Sequence, residues 1–347
     1  MDVERLRLDV PDIRAQWSDL LVSTGLPRPV PGAEATLDDC LGIRVDGTLI
    51  ATGSRAANRI QYMAILPRFR DGGALFNQLL TELLQLCSTA GVFHVFVSTK
   101  PEYADSFVHI GFDELARTPR GVLLETGDQR IGTYLRSLRP AAARTGERLG
   151  AIVMHANPFT LGHRHLVEAA LHDCDRVVIF VLTDTHALFD AAVRRDLVLA
   201  GTADLGQRVE VLPGGDYVVS TATFPAYFLE DSRQVAEYQA ELDARIFRDH
   251  IAPALGISSR FLGEEPNSPT TAIYNQVLVR ILSDTLQVRI FPRRTSAGAP
   301  ISASAVREQI RAGSLTELSR LVPPSTLEYV RTHLGELQAR AEARTPR

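Results

Sequence analysis

Two short stretches of the chain carry residue types suited to holding an anion. The first is "NPFTLGH", Asn157–His163, directly after the apolar run "GAIVM". Pro158 lets the chain leave a strand, and Gly162 allows backbone to approach a bound group without a Cβ. A helix is expected to begin near His163, with its unpaired first-turn N–H groups and their partial positive charge facing a ligand. Thr160 and His163 lie three apart across the turn and can both reach one phosphate; an imidazole, neutral or charged, donates a hydrogen bond to it. The second stretch is "PISASAVREQIRAG", where Ser302 and Ser304 precede a helix expected to carry Arg307 on its first turn. Hydroxyls, helix N–H groups and a guanidinium able to grip phosphate by two bonds again suit an anion. Each stretch alone is equally consistent with a structural loop or an ordinary helix cap. Together they point to phosphate. A metal site is not expected here, because His163 and His165 at a helix start diverge by roughly 200°. His165 is read as a helix-face residue.

The elements that must position these residues follow from patterning. From Gly150 onward, strands and helices alternate: "AIVMHA", a helix over His163–Asp173, "RVVIFVLT", a helix through "AVRRDLVLAG", "RVEVLPG", "SRFLG" and "QVRIFP". Near-continuous apolar strands of this kind suit a parallel sheet covered on both faces. Ligands of such sheets sit at the carboxyl ends of the strands, where "NPFTLGH" falls. The first part reads as a smaller α/β unit. A helix over "DIRAQWSDLLVSTGL" leads to a hairpin turning at Asp46-Gly47, then the strand "IQYMAIL" and a helix ended by Gly91. The strand "VFHVFVST" and the helix–turn "EYADSFVHIGFDEL" follow. The expected domains are 1–127 and 149–347, joined by a linker over 128–148 whose arginines, Pro140 and glycines offer little to bury.

Composition narrows the classes. The chain has 347 residues, 45% hydrophobic and 22% charged, long enough for two domains of ordinary size. Its 37 basic and 41 acidic residues give a net charge of -4, with no basic stripe for a nucleic-acid partner. Three dispersed cysteines exclude a disulfide framework or a zinc knuckle. The start "MDVERLRLDV" lacks the apolar core of a signal peptide, and no apolar run approaches membrane-spanning length. No membrane association and a cytoplasmic location are expected.

"TLGH" resembles the T/HxGH signature of the nucleotidyltransferase superfamily, and "ISASAVR" resembles its ISSTxxR signature. More closely, "GAIVMHANPFTLGHRHLVEAA" resembles the catalytic domain of the citrate (pro-3S)-lyase ligase family. The resemblance continues in order through "LVLAGTADL", "GGDYVVSTATFPAYFL", "IFRDHIAPALGI", "FLGEEP", "TAIYNQ" and "GAPISASAVR", covering residues 148–330. It implies a Rossmann-like, HUP-type nucleotidyltransferase domain preceded by a GNAT-like domain, of which "FVHIGFDEL" looks like the closing portion. It also implies an activity: ATP and acetate give acetyl-adenylate and pyrophosphate, with Mg²⁺ assisting. The acetyl group then passes to the thiol of a CoA-like prosthetic group on the acyl-carrier subunit of citrate lyase, which switches the lyase on. Carried over residue by residue, Thr160 and His163 are the catalytic residues. Asn157, Pro158, Phe159, Thr160, Gly162, His163, Ser302, Ser304 and Arg307 bind ATP, and no metal ligands are assigned.

Further candidates around the nucleotide or substrate are Asp184, Thr223, Phe224, Glu265 and Arg293. Asp184 suits ribose, metal or a helix cap. Thr223 and Phe224 lie in "STATFPAYFL", an acyl or adenylate pocket loop or simply a packed loop. Glu264 and Glu265 could meet adenine or Mg²⁺, while Arg293 and Arg294 suit the phosphates or an acidic carrier. Arg194 occupies the family's arginine position and is read as a solvated charge. Two departures from the family pattern are His155, where asparagine is commoner, and "HALFDAAVR" around Phe189. In the first domain, "RFRDGGALF" supplies Arg70 and Gly73 of a Q/RxxGxG/A pyrophosphate turn but puts Leu75 at its last small position. Binding of the carrier protein or its CoA-like arm, rather than acetyl transfer, is therefore expected of that domain. The alternative activities are nucleotidyl transfer to a pantetheine phosphate or nicotinamide mononucleotide, and GNAT-type acetyl transfer.

Overall fold

A computed structural model describes residues 1–343 apart from 71, 184–186, 219–225, 230, 265–268 and 297. Four candidates, Asp184, Thr223, Phe224 and Glu265, lie outside the described residues. In chain order the first elements are β1 (Val3–Arg5), α1 (Pro11–Ser23), β2 (Asp39–Val45), β3 (Thr48–Ala56), β4 (Arg59–Ile65), α2 (Ala74–Thr89), β5 (His94–Thr99), α3 (Ala104–Val108), β6 (Asp113–Arg117), β7 (Val122–Gly127) and α4 (Ile131–Leu138). Next come β8 (Leu149–Met154), α5 (Leu161–Asp173), β9 (Arg176–Val181), α6 (Ala191–Thr202), β10 (Val209–Pro213) and α7 (Ser232–Ile246), then a π-helical turn at Phe247–Ile251. The rest are α8 (Ala252–Leu255), β11 (Ile257–Gly263), α9 (Pro269–Leu282), β12 (Gln287–Phe291), β13 (Thr295–Ser296), β14 (Ala299–Pro300), α10 (Ala303–Ala312), α11 (Pro324–Thr332) and α12 (Leu334–Ala343). The chain forms two compact units, Met1–Thr133 with Phe224–Leu242, and Tyr134–Thr223 with Asp243–Arg347.

The first unit is built on a mixed sheet in the order β1-β2-β3-β4-β5-β7-β6. Asp46 and Gly47 both take positive φ, the conformation a two-residue hairpin turn demands between β2 and β3. α2 places Leu75, Leu79, Leu80, Leu83 and Cys87 at helical spacing, and these bury against Ile43, Ile50 and Val97 of the sheet. Leu75 is thus a core residue. The helix opens after Gly72 and Gly73, both at positive φ, while Arg70 turns back to the carbonyl of Ile65 (2.9 Å). β4 and β5 run parallel, and their pairing spans only Arg59↔Phe96 and Ile60↔Val97. The strands β6 and β7 stand where sequence periodicity fades. In β6, "DELAR", the charged positions are exposed at both ends and the alternation is weak.

The second unit contains a five-stranded, wholly parallel sheet in the order β10-β9-β8-β11-β12. This is the expected α/β architecture, strand by strand. Ile152, Val177, Ile179 and Phe261 share one core with Val167 and Leu171 of α5, Val198 of α6, and Val306 and Ile310 of α10. Burying each such side chain contributes about 1.5–3 kcal/mol. Phe180 meets Phe247, whose ring also lies 4.4 Å beneath the Arg260 guanidinium. Strand order reverses at β8 and β11, so the ligand crevice of this sheet type lies at their carboxyl ends. Within the stretch expected to be a bare linker, α4 forms and Tyr134 stacks on Tyr217 at 5.1 Å. Its hydroxyl donates to the Pro213 carbonyl (3.1 Å), a long-range partner that periodicity cannot reveal.

Candidate functional site

The turn leaving β8 is fixed from several sides. The Asn157–Pro158 bond is cis, and Ala156 takes positive φ. Phe159 is fully buried in the core of the second unit, and its carbonyl accepts the Thr326 hydroxyl (3.1 Å). The Asn157 side chain is also committed, since its carbonyl oxygen accepts the Phe189 N–H (3.0 Å). Thr160 caps α5. Its hydroxyl accepts the His163 N–H (3.3 Å), and its own N–H donates to His163 Nδ1 (3.0 Å), closing a capping box in which histidine stands in for the usual Glu or Gln.

That cap decides the state of the imidazole. Nδ1 accepts a backbone N–H, so the ring proton sits on Nε2, which is left to donate. Burial first, then the charges of Arg293 and His155, push the His163 pKa down to about 4. His163 is therefore a neutral donor near pH 7, with its orientation set by Thr160. The Phe159 and His163 rings lie nearly parallel with centroids 5.8 Å apart, steadying it further.

The second stretch comes to the same place. Ser302 caps α10 by accepting the Ala305 N–H (3.1 Å). Arg307 lies in the second turn of this helix rather than the first, and there it reaches across. Its Nη1 donates to the Asn157 carbonyl at 2.7 Å, across 150 residues of sequence, and its Nη2 donates to Ser304 Oγ at 2.9 Å. Gly162 makes the approach possible, because a Cβ there would stand 3.1 Å from the Ile301 carbonyl oxygen. Arg293, just past β12, joins the cluster by donating to the carbonyls of Glu264 (2.9 Å) and Ile301 (3.4 Å). Burial lowers the pKa of both Arg293 and Arg307, with Arg311 adding repulsion at Arg307. Two helix N-termini, two half-buried guanidiniums and an imidazole N–H thus converge at the carboxyl ends of β8 and β12, an electropositive site suited to a polyphosphate.

Residues 149–330 match the family described as citrate lyase ligase C-terminal domain. The citrate (pro-3S)-lyase ligase of Haemophilus influenzae is 38% identical over 297 residues, spanning 84% of this chain and 88% of the relative. The Escherichia coli ligase of the same name is 37% identical over 318 residues, 90% of each chain. The chain belongs to the citrate lyase ligase family. Among solved structures, pantothenate synthetase from Thermus thermophilus is similar at 16% identity and a TM-score of 0.36, spanning 60% of this chain and 79% of that one.

In this citrate lyase ligase family member, several sequence expectations change at the level of single residues. Arg194 is not a solvated charge: it is fully buried, and its Nη1 donates to the His155 carbonyl (3.0 Å), bracing the end of β8. Pro158 and Phe159 are buried, so their side chains shape the turn from behind, and the Thr160 hydroxyl is taken up by the cap. The histidine cap itself was open to sequence reasoning, since Thr160 and His163 carry the N-cap and N3 spacing. Among the described residues no group of three or more His, Cys, Asp or Glu could hold a metal ion. Glu264 is exposed, and it meets Arg293 through its backbone carbonyl.

Proposed function

We propose that this chain uses ATP to activate acetate and then acetylates the thiol of the CoA-like prosthetic group on the acyl-carrier subunit of citrate lyase, switching the lyase on. Membership of the citrate lyase ligase family supports the reading. The observation that carries it is the 2.7 Å bond from Arg307 to the Asn157 carbonyl, which brings two distant sequence motifs together. In the first step an acetate oxygen bonds to the α-phosphorus as the bond to the bridging oxygen breaks, and pyrophosphate leaves with that electron pair. His163 Nε2–H donates to the α-phosphate, where negative charge accumulates. Ser304, Arg307, Arg293 and the N-terminus of α10 hold the β- and γ-phosphates, and Mg²⁺ supplies further charge neutralisation. Positioning and electrostatics suffice, with no covalent enzyme intermediate. In the second step the carrier thiolate attacks the acetyl carbon and AMP leaves. The second unit, Tyr134–Thr223 with Asp243–Arg347, is then the catalytic module, in a cytoplasmic setting.

Acetate-dependent exchange of labelled pyrophosphate into ATP tests the first step. Exchange is expected with acetate, and with the carrier subunit added if the enzyme is carrier-gated. Exchange driven instead by a pantetheine phosphate or nicotinamide mononucleotide, and never by a carboxylate, would replace this reading with nucleotidyl transfer.

A further inference from the structure

The parallel pairing of β4 with β5 stops after two residue pairs, although both strands continue to Ile65 and Thr99. Parallel strands that part leave backbone polar groups without ladder partners above an apolar slot, and something must satisfy them. In this unit the filler is the chain's own residues 226–242, which cluster with Met1–Thr133. The Tyr227 hydroxyl donates to the Ser98 carbonyl (3.0 Å), and the Tyr238 hydroxyl bonds Ser98 Oγ (2.6 Å). The Tyr227 ring packs on Tyr62 at 4.7 Å, and Tyr62 packs on the buried Trp17 at 5.3 Å. Tyr62 itself takes positive φ, a break in β4 at the point where the strands separate. Phe228 bridges Tyr227 and Tyr238, each pair at 5.4 Å. Room for them comes from Gly121, where a Cβ would stand 2.8 Å from Phe228 and 2.9 Å from Tyr238. Arg120 beside it holds Glu237 (3.0 Å).

We infer that the first unit is a receptor for residues 226–242 of this same chain, and that its β4/β5 slot is thereby closed to acyl-CoA and to a carrier's CoA-like arm. The filler is built into the slot. Tyr238 is fully buried, Phe228 nearly so, and the hydroxyls of Tyr227 and Tyr238 both have partners. The pyrophosphate turn before α2 is altered in the same direction, with Leu75 committed to the core. The unit's task is then to anchor the stretch that follows β10, not to transfer an acetyl group.

The test uses the full-length protein with acetyl-CoA as the probe, read by hydrogen exchange. Residues 226–242 are expected to be protected, and acetyl-CoA up to about 1 mM is expected to change exchange nowhere in β4 or β5. Tyr227→Ala, which empties the slot, and Gly121→Ala, which crowds it, are each expected to speed exchange across 226–242 at least about tenfold. Amides of β2 and β3 serve as the folding control. Protection of residues 60–65 or 98–99 by acetyl-CoA in the wild type would overturn the inference. So would unchanged exchange at 226–242 in both variants. Should either variant unfold, Tyr227→Phe keeps the ring, loses only the bond to Ser98, and is expected to show a smaller rise confined to the same segment. None of these readouts depends on ATP or acetate, so the proposed adenylation stands or falls separately.

Discussion

His163 has two duties that one substitution can separate. Glutamine at the N3 position of a capping box still accepts the N-cap N–H, so His163→Gln preserves the start of α5 while removing the Nε2–H donor. Pyrophosphate exchange is expected to fall about 10²–10³-fold, the usual loss for one donor to developing charge, with melting temperature little changed. Thr160→Ala is expected to behave differently, costing about 1 kcal/mol of stability through the lost cap, or about 2–4 °C. The depressed pKa of His163 also has a thermodynamic sign. Its folded value of about 4 lies below the ordinary 6.5, so the unfolded chain takes up the proton first. Stability is present in full above pH 6.5 and declines as pH falls toward 4; comparing His163→Gln with wild type across that window in urea unfolding isolates this share. A bound triphosphate favours the charged ring, so the His163 pKa is expected to rise when ATP is added, visible in histidine ring NMR shifts. At this scale the sequence singled out Thr160, His163, Ser302, Ser304 and Arg307, and the structure gathers them at the starts of α5 and α10. The sequence did not announce the burial of Arg194, because its partner is a backbone carbonyl of another segment.

Between elements, the site depends on the closeness of two helix starts. Gly162→Ala puts a methyl group 3.1 Å from a backbone carbonyl that a side chain's rotation cannot move aside, so α5 and the Ile301 turn must shift by a few tenths of an ångström. A rise of about tenfold in the KM for ATP, roughly 1.4 kcal/mol, with kcat less affected, is the expected kinetic outcome. Strands β8 and β9 were legible because covered parallel strands are continuous apolar runs, and α2 because its leucines recur at helical spacing. The helix α4 and the strands β6 and β7 were not. Tyr134 of α4 stacks on Tyr217, and β6 carries charges at its exposed positions, so tertiary partners rather than local pattern define them.

For the whole molecule, the compact units are not continuous in sequence, since the first takes in residues 224–242 from the second half of the chain. A cut at 127 or at 133 leaves out the residues that bind Ser98 and cover Tyr62. A fragment of residues 1–133 is expected to bind hydrophobic dyes and unfold with low cooperativity, and a peptide of residues 224–242 added in trans is expected to reverse both. Sequence patterning could not show this, since "AYFLEDSRQVAEY" reads as a continuation of the second half and only space assigns it to the first. The arrangement also bears on how the protein is made. Synthesis runs from the N-terminus, so β1 to β7 emerge first with Ser98 and Tyr62 uncovered. β8, β9 and β10 must all follow before Tyr227 and Tyr238 appear. During that interval the nascent first unit presents an aromatic-lined slot and a bare strand edge to the crowded surroundings of the ribosome. The part translated first is therefore completed only after most of the second sheet has been translated, and a pause in elongation before codon 227 would prolong its exposure.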